Sequence, residues 1–301
     1  MAPQIQGLKQ AIPYLRKYRG TRFVIKVGGS LLGRESDIRQ IAEGIAALYH
    51  VGIHVIVVHG GGPRLESLAR ELGVEQVKIA GRRVTDAKTL ELAKMVFGGS
   101  VNTDLVAVLE SFDTPAVGLT GLDAGTIAAS RRPPVEIQEH PGTPARNVDF
   151  GFVGDINEVK PGLLEDLLGR NFVPVIASLA GDGKGQVLNI NADTVASKIA
   201  VALKAEKYIN VTDTPGILKD ARDPQSLVSY ADIRMVESLR NDGILSGGML
   251  PKAESCLAAL RGGVRRAHII NGQEADSLLK EIFTNEGCGT LIVESIEKNG
   301  H

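Results

Sequence analysis

Phe23-Val24-Ile25-Lys26-Val27-Gly28-Gly29-Ser30 is the stretch whose reading decides the fold. Three apolar residues, two of them β-branched, predict a buried strand. That strand carries one cation, Lys26, and breaks at a glycine pair. An unpaired buried charge costs on the order of several kcal/mol, so the lysine needs an anionic partner at the strand end. Two glycines let the backbone turn sharply and bring bare N–H groups close to a ligand. Together these features read as a phosphate cradle. Taken alone, the stretch also fits a snorkelling lysine ahead of an ordinary turn.

The following sequence repeats the pattern. Ile38 to Leu48 has helical spacing, and Ile53 to Val58 is a second core strand, ending in His59-Gly60-Gly61-Gly62-Pro63. A triple glycine between a strand and the helical stretch Arg64 to Leu72 is an anion-binding arrangement, whereas His59 reads as structural. Gly81-Arg82-Arg83-Val84-Thr85-Asp86 precedes an apolar helix from about Lys88 to Leu109. Pro115 to Gly121 is a strand with a glycine exit, and Ala128 to Lys160 predicts hairpins at a sheet rim, shaped as a lid. Leu163 to Leu168 and Phe172 to Ile176 follow as helix and strand. The turn Gly181-Asp182-Gly183-Lys184-Gly185 lacks P-loop spacing. Asn189-Ile190-Asn191-Ala192-Asp193 precedes the helix Thr194 to Leu203, and its polar residues fit a helix cap and a ligand site equally. After the strand Tyr208 to Asp213, Gly247-Gly248-Met249-Leu250-Pro251-Lys252 opens a helix reaching Leu260. A lysine in a first turn opposes the macrodipole unless an anion sits between them. Ala267 to Ile270 is the last clear strand. The alternation predicts a three-layer αβα sandwich with a largely parallel sheet and ligands at the carboxyl ends of the strands.

Bulk properties narrow the function. The 301 residues carry a net charge of −1, with 43% hydrophobic, 23% charged and 4% aromatic residues and no Trp. There is no broad basic field for nucleic acid or for a membrane surface. The apolar runs read as strand-sized, too short to span a bilayer. Cys256 and Cys288 form neither a CxxC pair nor a disulfide framework and read as reduced thiols of a cytoplasmic protein. Ahead of the first strand, Ile5, Leu8, Ile12 and Leu15 recur at helical spacing with Pro13 where a kink is expected. This helix lies outside the main fold, and a neighbouring subunit is a natural partner for its apolar stripe. A frayed extension or a transit peptide are the competing readings, the latter disfavoured by the scarcity of Ser.

In order, Lys26-Val27-Gly28-Gly29, His59 to Pro63, Gly81 to Asp86, Asn189 to Asp193 and Gly247 to Lys252 resemble the amino acid kinase family. The likeness is to the branch that phosphorylates N-acetyl-L-glutamate, and it runs from about Leu15 to Ile292. It implies the amino acid kinase fold and transfer of a phosphoryl group from MgATP to the substrate's side-chain carboxylate in arginine biosynthesis. It also implies an N-terminal oligomerisation helix at 1–20, an acetylglutamate-binding and dimerising lobe at 21–178, and an ATP-binding lobe at 179–301. From the residues alone, that lobe boundary falls near Ala177 to Gly181.

Residue by residue, the resemblance makes Lys26 and Lys252 the stabilisers of the transferring group and Asp193 the residue that holds them. Gly61, Gly62, Arg83, Asn189 and Asn191 would hold the acetylated amino acid. ATP would take Lys26, Gly28, Gly29, Thr212, Asp213, Lys219, Gly247, Gly248, Met249 and Lys252, with Mg2+ held mainly by the nucleotide and no protein ligand assigned. The N-terminal segment resembles the extra helix of arginine-inhibited hexamers, trimers of dimers, in which Tyr14, His268, Glu281 and Gly287 would surround L-arginine. Ser30 departs from a frequent Asn and Leu122 from a frequent Lys, which puts rim contacts in question. Kinases of other carboxylates, including carrier-bound aminoadipate, stay open, although Arg83-Val84-Thr85 favours acetylglutamate. A silent amino-acid sensor should lack one of the two lysines or Asp193, and all three are present. Binding of a PII signalling protein is neither indicated nor excluded.

Overall fold

The computed structural model describes residues 3–138 and 144–296. Its main sheet takes β1 (Arg22–Val27), β2 (His54–His59), β3 (Ala116–Thr120), β4 (Val173–Ala177), β5 (Lys207–Thr212), β6 (Tyr230–Asp232), β7 (Arg266–Asn271) and β8 (Thr290–Val293). In space these run β6-β8-β7-β5-β1-β2-β4-β3. Every neighbouring pair is parallel except the antiparallel β7 and β8. The helices are α1 (Pro3–Tyr18), α2 (Glu35–His50), α3 (Gly62–Glu71), α4 (Ala87–Glu110), α5 (Gly162–Gly169), α6 (Ala192–Ala202), α7 (Ile233–Asn241), α8 (Met249–Arg261) and α9 (Ser277–Phe283).

The period-two alternation of β1 separates two apolar layers. Phe23, Ile25 and Val27 pack with Ile41 and Ile45 of α2, Leu65 of α3, Phe97 and Leu105 of α4, and Leu278 of α9. Val24 faces the opposite way, toward Leu164 of α5, Val195 and Ile199 of α6, Val236 of α7 and Leu257 of α8. Each fully buried side chain of this size contributes about 1.5–3 kcal/mol. Lys26 stands two residues beyond Val24 and therefore points to the α6–α8 side, where its partner lies. This is the expected three-layer sandwich.

A second sheet runs in the order Val187–Asn189, Leu179–Gly181, Ile127–Arg131 and Gly154–Val159, and its Ile127, Ala129 and Leu188 join the core layer of Val24. Val135–Ile137 pairs with Arg146–Val148 as a separate two-stranded unit inside the stretch from Ala128 to Lys160 where hairpins are expected, and Lys78–Ile79 pairs with Arg82–Arg83 as another that the sequence reading did not anticipate.

Some elements differ from expectation. The chain does not end its sheet at β7: β8 adds antiparallel to it, and residues 217–245, left unassigned by periodicity, supply β6 and α7. Helix α4 is 24 residues long with a mean hydropathy of 1.3 in its most apolar window, so length and composition alone would let it cross a membrane, against the strand-sized reading. Leu92, Phe97, Val101, Leu105 and Leu109 are instead buried in the core, which makes it a core helix. Its middle, Lys94–Val101, is a π-helical turn. Helix α1 runs through Pro13 as one element, and its C-terminal end is not outside the fold. The Tyr18 ring is buried at 5.3 Å from that of Phe23.

Candidate active site

The ends of β1 and β5 and the N-termini of α3, α6 and α8 meet where Lys26 leaves β1. Lys26 Nζ lies 3.0 Å from Asp193 Oδ1, with the two side chains only 6% and 9% exposed. Asp193 stands in the first turn of α6, which Asn191 caps: Asn191 Oδ1 accepts from the N–H groups of Asp193 (2.8 Å) and Thr194 (3.1 Å). Of the two readings of that Asn pair, capping holds for the Asn191 carbonyl. Lys252, in the first turn of α8, donates to Gly248 O at 3.1 Å.

The charges are coupled. Burial raises the Asp193 pKa, but Lys26 and Lys252, with hydrogen bonds from Lys26 and Asn210, hold its carboxyl below the usual range. Burial and the like charge of Lys26 push the Lys252 ammonium down, against the pull of Asp193 and Asp213. Two ammonium groups around one carboxylate leave a net positive focus, suited to an anion that gains charge during reaction.

The glycine turns close on the same point. Gly28 N–H donates to Val211 O at 2.8 Å. A Cβ on Gly28 would stand 3.0 Å from that carbonyl, and one on Gly29 would stand 3.1 Å from Pro63 Cδ and 3.3 Å from Gly62 N. The Gly28-Gly29 turn thus fills the space between the end of β5 and the N-terminus of α3. Thr212 is buried there and donates to Asp213 Oδ1 at 3.1 Å. Ser30 Oγ stays beside this turn, and Leu122 lies at the rim against Gly181.

Arg83 reaches toward Gly61-Gly62: its guanidinium donates to Gly62 O at 3.4 Å, to Glu66 Oε1 at 2.7 Å and to Gln76. Asn189 Nδ2 donates to Thr85 Oγ1 at 3.1 Å, tying that strand to the Arg83 segment. His59 is structural, as expected. Burial lowers its pKa to about 4, and its ring nitrogens meet Gly60 O at 2.8 Å and Asn102 Nδ2 at 2.9 Å. Gly247 and Gly248 are exposed at the start of α8, with Met249 packed on the core. Lys219 sits on an exposed loop, its N–H donating to Ser226 O at 3.1 Å.

A second polar cluster lies at the other end of β5. Lys207 Nζ is 2.9 Å from His268 Nε2, and His268 Nδ1 donates to Glu281 Oε1 at 2.7 Å. Glu281 Oε2 accepts from Cys288 N (2.8 Å) and Gly289 N (3.1 Å). Gly287 has φ +63, and a Cβ there would stand 2.8 Å from Glu281 Oε2. Tyr14 O–H bonds Asn285, and Lys207 lies 5.0 Å over the Tyr18 ring. Tyr14, His268, Glu281 and Gly287 line one cleft of about 360 Å³ with Lys207 and Arg266. Sequence reasoning named the first four and missed Lys207, as it missed Asn210 beside Asp193. In both cases the available signal was a polar side chain inside an apolar strand.

The model of the amino acid kinase family matches residues 21–271. The chain is 46% identical over 287 residues to the acetylglutamate kinase of Myxococcus xanthus (strain DK1622), covering 95% of this chain and 93% of that relative. Among solved structures it resembles N-acetylglutamate synthase from Neisseria gonorrhoeae complexed with coenzyme A and N-acetyl-glutamate, with a TM-score of 0.80 and 28% identity over 97% of this chain. The chain spans only 63% of that synthase. The same synthase complexed with coenzyme A and L-arginine is likewise similar, with a TM-score of 0.80, 26% identity, and coverage of 97% of this chain and 65% of that one.

Proposed function

The chain belongs to the amino acid kinase family, and from that premise we propose phosphoryl transfer from ATP to N-acetyl-L-glutamate as its reaction. The products are N-acetyl-L-glutamyl 5-phosphate and ADP, a step of arginine biosynthesis. The observation that carries the reading is the meeting of Lys26, Asp193 and Lys252 at the glycine turns. In-line phosphoryl transfer asks for positioning and charge neutralisation rather than covalent chemistry. The accepting carboxylate is already ionised at neutral pH, with a reference pKa of about 4.3, so no general base is needed.

In this reading Lys26 and Lys252 contact the transferring phosphoryl group and Asp193 spaces them. Gly28, Gly29, Thr212, Asp213, Lys219 and Gly247 to Met249 hold ATP, whose phosphates carry Mg2+ and bring its charge to the transfer. Gly61, Gly62, Arg83, Asn189 and the Asn191 amide hold the substrate, with Arg83 exchanging Glu66 for the substrate's α-carboxylate. The two lobes, 21–178 and 179–301, contribute the two substrates, and the enzyme works in the cytoplasm. The cleft of Tyr14, His268, Glu281 and Gly287 takes L-arginine as a feedback inhibitor. Helix α1 joins dimers into a hexamer.

The test is ADP release with MgATP and a panel of N-acetylglutamate, glutamate, aspartate and N-acetylated aminoadipate, trapping the acyl phosphate with hydroxylamine. Turnover on N-acetylglutamate alone, suppressed by arginine, is the expected result. Turnover without suppression removes the regulatory part, and turnover only on another acid removes the substrate.

A further inference from the structure

Asn210 is fully buried in β5, between Ile209 and Val211, in a register where its backbone neighbours are Lys26 of β1 and Ile269 of β7. An amide in that position removes polar atoms from water that the apolar residues around it do not have. Its nitrogen is used twice. Nδ2 donates to Asp193 Oδ1 at 2.7 Å and to the Tyr208 hydroxyl at 3.3 Å. Its Oδ1 is buried with no partner. The orientation of the amide is fixed by chemistry, because an ionised carboxylate only accepts, and a flipped Asn210 would set oxygen against oxygen.

The hydrogen bonds continue in one direction. Ser255 Oγ donates to Lys252 O at 2.7 Å, which leaves its oxygen to accept from the Tyr208 hydroxyl at 3.0 Å. Tyr208 in turn accepts from Asn210. One continuous chain therefore runs from the Asp193 carboxylate to the backbone of the helical turn that carries Lys252. Lys26 and Asn210 both bind Oδ1 of Asp193, at 3.0 and 2.7 Å, so two donors fix the same carboxylate oxygen.

We propose that Asn210 is a positioning residue for phosphoryl transfer. It locks Asp193 in the orientation that spaces Lys26 from Lys252, and through Tyr208 and Ser255 it fixes the turn bearing Lys252. Only a side chain with two N–H groups on one nitrogen meets both acceptors, which is why an apolar residue, otherwise better suited to this strand, would not serve. The inference rests on the role given above to Asp193, and the test separates the two.

Steady-state kinetics with N-acetylglutamate and MgATP are measured for N210L, Y208F, D193N and N210L/D193N, with melting temperatures alongside. A residue that acts only in the transition state lowers kcat and leaves KM. N210L is expected to lose about tenfold in kcat with both KM values within about twofold, and Y208F, which keeps its ring, about threefold. On the D193N background, N210L should cost about threefold rather than tenfold, because the part of its effect that acts through Asp193 is already lost and only the Tyr208 arm remains. A kcat for N210L within twofold of the parent, or an undiminished loss on the D193N background, overturns the proposal. If N210L does not fold, Y208F decides: unchanged kcat overturns it. D193N with parental kcat overturns the Asp193 reading and this inference with it. D193N crippled beside an unaffected N210L overturns this inference alone.

Discussion

Lys26 Nζ and Asp193 Oδ1 form a 3.0 Å ion pair in which both partners are almost wholly buried. Removing one partner strands the other charge, at about 3–5 kcal/mol. K26M should therefore lower the urea midpoint as well as kcat, the latter by about 10²–10³, the cost of one transition-state donor. Lys252 is only half-buried, so K252M should lose kcat by a similar factor with a much smaller change in midpoint. Equal stability losses in the two variants would mean that the lysines are not divided in this way.

Arg83 is held by Glu66 at 2.7 Å, and Lys78 shares the same oxygen at 2.7 Å. A planar guanidinium can fork onto a substrate carboxylate where an ammonium cannot. R83K should raise the KM for N-acetylglutamate by about tenfold or more with little change in the KM for ATP. A change confined to ATP would move Arg83 out of the substrate site.

The fold was legible because its strands are apolar runs ending in glycine, and runs such as Phe23 to Val27 declare a parallel sheet without help from the rest of the chain. β6 and β8 were not, being three and four residues long and stabilised by pairing with strands far away in sequence. Lys26 and Lys252 announced themselves as charges at glycine turns. Asn210 and Lys207 did not, because a polar residue in a strand acquires its meaning only from the side chain it meets across the layer. The length of α4 was legible too, since the reading of one apolar helix from about Lys88 to Leu109 falls within a residue of either end; the π-helical turn at Gly98 and Gly99 was not.

Glu281 accepts from His268, Cys288 and Gly289, so it holds the 281–289 loop as well as offering charge to a cationic ligand. E281Q keeps the acceptor oxygen that shapes the loop and removes the charge. It should leave basal turnover near parental and weaken arginine inhibition by about tenfold, the order of a lost charged hydrogen bond. Deleting residues 1–19 removes Tyr14 and the Tyr18 ring that covers Lys207. Active dimers with weakened inhibition are expected by sedimentation and assay. A truncated hexamer with an unchanged arginine response would reject the role of α1.

The same cluster sets a pH dependence of stability. Burial and Lys207 lower the His268 pKa from 6.5 to about 4, and burial and Arg266 lower that of Lys207 from 10.5 to about 7. Glu281 is also lowered, as its hydrogen bonds and His268 outweigh burial. In each case the unfolded chain binds more protons than the folded one between the two pKa values, so stability rises with pH across each window. For His268 that window is about 4 to 6.5, and for Lys207 about 7 to 10.5. A single group contributes at most about 1.4 kcal/mol per pH unit. The urea midpoint should therefore climb from pH 5 toward pH 9. K207M should flatten the climb above pH 7, and an unchanged slope there would show that Lys207 keeps its proton in the folded protein.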